Sequence, residues 1–341
     1  MSKTVPNTLP QPVPQSVPQP GSADPSPARM RKPDWLKIAL PKGGTFASVK
    51  SLVTSQQLAT VCQEARCPNI GECWAGGTAT LMLMGDTCTR ACKFCHINTG
   101  NPKGWLDDEE PAKVLHTVKT MGLRYVVLTS VDRDDLPDGG ADHFARTVAT
   151  LKTHLPDLMV ETLIPDFSGR QDPLRHLMAS HPDVVAQNIE TVRRLTHPVR
   201  DPRAGYEQTL GVLRQVKAER PDIYTKSSLM LGLGETDDEV LDTLKDLRAV
   251  GTDIVTLGQY LQPSKKQLPV QRYVTPDAFR QWETVALDLG FMTCAAGPLV
   301  RSSYKAAEQF LLGLKRQRAE IQAPTDDSRY SNRQHPAPAR P

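Results

Sequence analysis

Six of the seven cysteines lie between residues 62 and 95, in two triplets of different spacing, Cys62-x4-Cys67-x5-Cys73 and Cys88-x3-Cys92-x2-Cys95. A structural zinc is closed by four ligands, and a four-iron cluster has four corners to fill. Three thiolates leave one position over in either case. The pattern therefore predicts two iron–sulfur clusters, each with one corner reserved for something other than cysteine, and an iron open at one corner can hold a substrate or cofactor. The competing reading is a zinc knuckle closed by His96. That histidine adjoins Cys95 and is poorly placed to complete the same tetrahedron.

Two kinds of residue offer a fourth ligand to the upstream triplet. One is Cys294, the seventh cysteine; the other is a serine of Arg301-Ser302-Ser303-Tyr304. Thiolate is the default ligand of iron, and a serine alkoxide is a poorer match that leaves more readily. Each also has a plain structural alternative. Cys294 reads as a buried apolar residue at the end of a late strand, and Ser302 and Ser303 read as an N-cap for a helix over 304–315.

The elements that must position these residues follow a strand–helix rhythm. Apolar, β-branched runs occur at Ala79–Met84, Tyr125–Ser130, Leu158–Ile164, Val184–Ile189, Thr225–Leu231 and Ile254–Leu257, with a seventh near Phe291–Cys294. Helix-like stretches alternate with them at Glu109–Met121, His143–His154, Pro173–Ala179, Tyr206–Ala218, Asp238–Val250 and Pro276–Leu289. Alternation of this kind predicts parallel βα units. The fold class is α/β, a partial (β/α)6 barrel of the TIM type, with a doubly wound sheet as the alternative that pattern alone does not separate. The second triplet forms the loop after the first strand, where a parallel α/β protein places its chemistry. The first triplet lies upstream, after an amphipathic stretch at Phe46–Leu58.

Other polar residues cluster at strand ends: Ser130, Asp132 and Arg133 after the second strand, Asn188 and Glu190 after the fourth, with Arg203 beyond. Each also suits a cap or a surface ion pair. Gly232 and Gly234 read as a strand end where backbone approaches a ligand, a lone G-x-G being a weak phosphate signal. Gly139-Gly140 reads as a turn before a helix.

Bulk properties exclude several classes. With 341 residues and net charge +3, composition gives no argument for nucleic acid. No stretch reaches the ~18 apolar residues of a membrane span, and the N-terminus lacks the apolar core of a signal peptide. Clustered thiols in an odd number fit a reducing compartment, so the expected location is cytoplasmic. Residues 1–31 and 322–341, rich in proline and polar residues, are expected to be disordered tails. Between them the expected divisions are an N-terminal extension with the first triplet (32–78), the barrel (79–300) and a closing segment with the Arg-Ser-Ser-Tyr run and a helix (301–321).

The second triplet resembles that of the radical S-adenosylmethionine (SAM) superfamily, in which three cysteines hold a [4Fe–4S] cluster whose fourth iron takes the amino and carboxylate groups of SAM. In that superfamily the cluster's electron cleaves SAM to a 5′-deoxyadenosyl radical. The upstream triplet and RSSY together resemble the lipoyl synthase family. So do KPDWLKIALP from Lys32, LTSVDRDDLPDGGADHF from Leu128, ETLIPDF from Glu161, QNIETV from Gln187, VRDPRAGY from Val199, TKSSLMLGLGET from Thr225 and LGQYLQPS from Leu257. The resemblance spans about 32 to 315.

It implies two [4Fe–4S] clusters and SAM as cofactors. Cys88, Cys92 and Cys95 would hold the catalytic cluster, and Cys62, Cys67, Cys73 and Ser303 a sacrificial auxiliary one. Ser130, Asp132 and Arg133 match the position that contacts the methionyl amino group, while Asn188, Glu190 and Arg203 would meet ribose or carboxylate. The implied substrate is an octanoyl chain on a lysine of a lipoyl carrier domain (a 2-oxoacid dehydrogenase E2 component or the glycine cleavage H protein). Sulfur enters at C6 and C8, whose unactivated C–H bonds acid–base chemistry cannot break. Implied partners are a reductant such as ferredoxin or flavodoxin and an Fe–S carrier protein; neither nucleic acid nor membrane is expected. The alternatives are another sulfur-inserting radical SAM enzyme (a methylthiotransferase or one like biotin synthase) and a two-cluster electron-transfer protein. The first does not pair an upstream C-x4-C-x5-C with RSSY. The second predicts four cysteines per cluster and a small fold.

Overall fold

The apolar residues of the successive strands alternate in side, and the sheet that results has one apolar face for helices and one enclosed face. The computed structural model describes residues 31–37, 44–65, 67, 69–75 and 80–303. All of these except Arg31 belong to a unit that begins at Lys32. The expected tails, apart from Arg31, and the helix expected over 304–315 lie outside the described residues.

The N-terminal extension supplies α1 (Gly44–Ser55), β1 (Ala59–Thr60), α2 (Val61–Glu64) and α3 (Ile70–Ala75). The barrel begins with β2 (Thr80–Leu83), followed by the short pair β3 (Thr87–Cys88) and β4 (Asn98–Thr99). The repeating part runs α4 (Glu110–Met121), β5 (Tyr125–Ser130), α5 (Ala141–His154), β6 (Met159–Leu163), α6 (Gln171–Met178) and β7 (Val184–Ala186). It continues with α7 (Thr196–Val199), α8 (Tyr206–Glu219), β8 (Tyr224–Leu231), α9 (Asp237–Ala249), β9 (Ile254–Gln259), α10 (Pro276–Asp288) and β10 (Thr293–Gly297).

The sheet order is β1-β2-β5-β6-β7-β8-β9-β10. From β2 to β10 every pairing is parallel, and only β1 is antiparallel. Six βα units therefore lead to a seventh strand, in strictly sequential order. A doubly wound sheet reverses its strand order at a switch point, and this one does not. The expectation of a partial (β/α)6 barrel holds, and the seventh strand expected near Phe291–Cys294 is the register partner of β9. The fourth strand ends at Ala186, three residues earlier than expected, because the chain leaves the ladder after Gln187, whose N–H still donates to Lys226 O at 3.0 Å, and bridges it again at Glu190, opposite Leu229.

Leu81, Leu83, Val126, Leu128, Val160 and Val185 point to one face and join Val114, Phe144, Val148, Leu174 and Val216 of the helices. Leu229, Leu231, Val255, Leu257 and Cys294 do the same with Leu213, Leu244 and Phe279. Full burial of such a side chain stabilises by about 1.5–3 kcal/mol, so this layer fixes the strand ends that carry the polar residues. Local signals punctuate it: Gly122 closes α4 in the left-handed conformation, and Thr236 with Glu239 forms a capping box on α9. No helix among the described residues is long and apolar enough to cross a membrane.

Candidate iron–sulfur site

The loop of the second triplet leaves β2 through Met84 and Gly85, both at positive φ (66° and 84°). The exit is held by Glu110, 5% exposed, whose carboxylate accepts the Met84 N–H at 2.9 Å and lies 2.6 Å from His143 Nε2. The loop is then pinned from three strand ends. Arg90, buried between Cys88 and Cys92, donates both Nη atoms to Asp166 at 2.7 and 2.8 Å. Its Nε and Nη2 donate to Asp134 at 3.0 and 2.9 Å, and Asp132 is 3.4 Å away. Asp201 accepts the Ala91 N–H at 2.8 Å, and its own N–H donates to Cys92 Sγ at 3.3 Å. The Arg90 N–H donates to Cys88 Sγ at 3.4 Å.

Burial pushes the Cys88 and Cys92 thiols up to about 12 and raises that of Cys95. Cys88 and Cys92 each feel the charge of Cys95, so the three thiols share one locality. Among the described residues no three His, Cys, Asp or Glu side chains are close enough to share a single metal ion. His96, the fourth ligand of the zinc-knuckle reading, turns its Nδ1 to the Glu64 carbonyl at 3.1 Å. A [4Fe–4S] cluster spreads its thiolates over four corners, and a soft, half-buried thiol set laced by N–H donors is the donor chemistry such a cluster takes.

Around the thiols stand polar groups with capacity left for an amino-acid and ribose ligand. Ser130 Oγ is buried with no hydrogen-bond partner. Cys88 Sγ lies 3.8 Å from Asp132 Oδ2, and burial raises the Asp132 carboxyl to about 6 against the opposite pull of Arg90. Glu190 sits at φ 65°, a conformation that costs a non-glycine residue about 1–3 kcal/mol and clusters at functional sites. β8 holds it there, through Glu190 N–H to Ser228 O at 2.9 Å and Met230 N–H to Glu190 O at 2.9 Å. Burial raises its carboxyl, opposed by Arg200 and by Asn188 Nδ2, which donates at 3.0 Å. The charges of Glu190 and Asp132 both act on Cys95. These residues fit an amino group and hydroxyls brought against the triplet.

The first triplet is spread over α2, the turn after it and α3. The Cys67 N–H donates to Cys62 O at 3.1 Å and the Cys73 N–H to Asn69 O at 2.9 Å. Burial raises the Cys62 thiol, and Cys67 adds to the rise. Arg301 feels the charge of Cys67, and Asn69 Nδ2 donates to Leu299 O at 2.6 Å. The triplet thus meets the segment that leads to Ser303, some 230 residues on. Ser302 and Ser303 form a half-buried turn.

Two expectations change. Arg133 does not face the thiols: its side chain is 0% exposed, paired with Asp135 at 2.8 Å and donating to Met84 O and Trp105 O. Burying it supports the strand ends from behind. Gly232 is not a gap left for a ligand, because a Cβ there would lie 2.3 Å from Gln259 Nε2 and 2.4 Å from Arg272 O. The chain's own loop fills that space. Arg203 is half exposed and clamps Asp201, Asp134 and the Thr89 carbonyl. Cys294 faces the helix layer, buried with α10, as its apolar reading had it. Sequence reading missed Arg90, Asp166, Arg200 and Asp201. The signals were present: an arginine inside a cysteine loop, and acids and an arginine just past strand ends in ETLIPDF and VRDPR.

Comparison with known proteins bears on the same two regions. Residues 82–247 match the model of the radical SAM superfamily, and residues 22–67 match that of the N-terminal domain of lipoyl synthase of the radical SAM family. The lipoyl synthase of Thermus thermophilus is 58% identical over 294 residues, covering 86% of this chain and 91% of that one. That of Marinobacter nauticus is 58% identical, covering 82% and 80%. That of Francisella tularensis subsp. novicida is 57% identical, covering 82% and 86%.

Proposed function

The chain belongs to the lipoyl synthase family of radical SAM enzymes, and from that premise we propose how its own residues divide the work of inserting two sulfur atoms, at C6 and C8, into a protein-bound octanoyl chain. When bound, two [4Fe–4S] clusters and SAM supply the one-electron chemistry and the sulfur that no side chain can. In this reading Cys88, Cys92 and Cys95 hold the cluster that SAM joins. Ser130 Oγ and the Asp132 carboxylate receive the ligand's amino group, while Glu190, oriented by Asn188 and facing Arg200, takes its hydroxyls. Arg90, Asp134, Asp166, Asp201 and Arg203 hold the cysteine loop in register and exclude water from behind it.

Cys62, Cys67 and Cys73 hold the auxiliary cluster, with Ser303 as a fourth, weaker ligand that can leave. The observation that supports this assignment is the meeting of the first triplet with the Leu299–Arg301 segment. The substrate is an octanoyl-lysine carrier domain, of a 2-oxoacid dehydrogenase or of the glycine cleavage system, with a ferredoxin- or flavodoxin-type reductant and an Fe–S carrier to rebuild the auxiliary cluster. The test is anaerobic reconstitution with an octanoylated carrier peptide, SAM and reductant, followed by mass analysis. A product heavier by two sulfurs is expected. SAM cleavage without any gain of sulfur would overturn the reading.

A further inference from the structure

The peptide that joins the last strand to Ser303 folds back over the sheet where two glycines face each other. Gly258 of β9 and Gly297 of β10 are register partners. A Cβ on Gly258 would lie 2.2 Å from the carbonyl oxygen of Val300, and one on Gly297 would come within 3.2 Å of the Val300 side chain. The first of these neighbours is backbone, which cannot swing aside as a flexible side chain would. The Val300 N–H closes the turn onto Gly297 O at 3.1 Å, and Val300 is 8% exposed.

A second contact reaches the same segment from the first triplet. Asn69, between Cys67 and Cys73 and 2% exposed, donates to Leu299 O. Arg301 adds a third, donating Nη1 to Gln259 O at 3.3 Å and to Val300 O at 2.7 Å. Van der Waals seating and side-chain hydrogen bonds from two residues therefore converge on residues 299–301.

We infer that Gly258 and Asn69 are positioning residues of a latch that holds Ser303 against Cys62, Cys67 and Cys73. The inference rests on the assignment of Ser303 as the auxiliary cluster's fourth ligand. The physical need is plain. A hydroxyl is a weak iron ligand, so its occupancy depends on the effective concentration at which the chain presents it. Residues 298–303 are neither helix nor strand. The glycine seat and the Asn69 bond supply the order that regular structure does not.

The test compares Gly258→Ala, Asn69→Leu and Ser303→Ala in the full chain, loaded with iron and sulfide. Amide exchange over 299–303 in the metal-free chain, iron retained against a chelator, the resonance signature of the auxiliary cluster, and SAM cleavage are measured. The latch predicts that Gly258→Ala and Asn69→Leu exchange these amides about tenfold faster, the change in an opening equilibrium set by one buried hydrogen bond. It also predicts that both lose about four of roughly eight irons as readily as Ser303→Ala does, and that all three still cleave SAM. If Ser303→Ala sheds the iron while the other two keep it with the parental signature, the latch is wrong and the serine assignment stands. If Ser303→Ala itself keeps all its iron and the parental signature, the assignment falls and the latch with it. Asn69→Leu leaves every strand untouched and decides the matter should Gly258→Ala also lose SAM cleavage.

Discussion

At the scale of single residues, burial, with the charges of Asp132 and Cys95 adding to it, pushes the Cys88 and Cys92 thiols up to about 12, so iron must supply the charge that water cannot. That makes the two triplets separable by substitution. Cys88→Ala, Cys92→Ala or Cys95→Ala should each abolish 5′-deoxyadenosine formation. Cys62→Ala, Cys67→Ala or Cys73→Ala should leave it intact while lipoyl product disappears; product from any of these three would end the sacrificial role. Cys294 has the same chemistry and a different situation. It packs against α10 in the helix layer, with Glu283 as the charge it feels. Cys294→Ala should keep roughly eight irons per chain, as two four-iron clusters require, and cost only the ~1 kcal/mol of a small core truncation. Loss of four irons would make Cys294 the ligand in place of Ser303.

At the scale of elements, the cysteine loop is shaped by charge rather than by regular structure. Arg90 is its hub, with side-chain exposure of 2% against 1% for Asp166. Removing one member of such a pair strands the other and costs about 3–5 kcal/mol. Arg90→Ala should therefore lower thermal stability sharply. Arg90→Lys, which keeps the charge but loses the fork that grips Asp166 and Asp134, should fold yet release iron to a chelator faster than the parent. Arg203→Gln is the contrast: at 50% exposure it should cost about 1 kcal/mol or less. The capping box of α9 gives a pH signature. Arg194 and the Thr236 backbone hold Glu239 at about 2 against an ordinary 4.5. A depressed carboxylate stabilises fully above its unfolded value and loses that contribution as pH falls through the folded one. Glu239→Gln should thus cost about 0.5–1 kcal/mol at neutral pH, and urea midpoints of variant and parent should converge as pH drops from 4.5 towards 2. Elements were legible because periodicity reports burial. α8 and α9 each begin within one residue of where apolar spacing put them. The contacts among loops were not legible. Arg90 meets Asp166 only because the loop after β2 reaches past the end of β5 to that of β6, and no local pattern encodes which acid an arginine reaches.

At the scale of the whole molecule the sheet must curl enough to enclose its inner face, and one buried group of side chains bridges that face. Glu161 of β6 and Lys226 of β8 are separated by β7, two strand spacings or about 9–10 Å of backbone, which their long side chains span by leaning towards each other. Lys226 Nζ donates to both Glu161 oxygens, at 2.7 and 2.9 Å, with both side chains 2% exposed. Tyr125 of β5 donates its hydroxyl to the same carboxylate. Val127, Met159, Val184 and Ile254 surround the pair. Nothing in the sequence announced it: a lysine and a glutamate in strands read as solvent-facing residues, and only closure of the inner face turns them inward. Because the pair is dry, its worth lies in complementarity rather than in net attraction. Lys226→Met alone should leave Glu161 with only Tyr125 and cost about 3–5 kcal/mol, and Glu161→Leu alone should do the same to the ammonium. The double variant should recover most of the loss, since an apolar pair of similar volume fills the same space without a stranded charge. Urea unfolding of the metal-free chain measures all three. Recovery in the double variant, with the parental slope against denaturant, would mean the inward curl is set by strand pairing and packing. A double variant as unstable as the singles would mean the ion pair itself bends the sheet that carries both triplets' neighbours to the mouth.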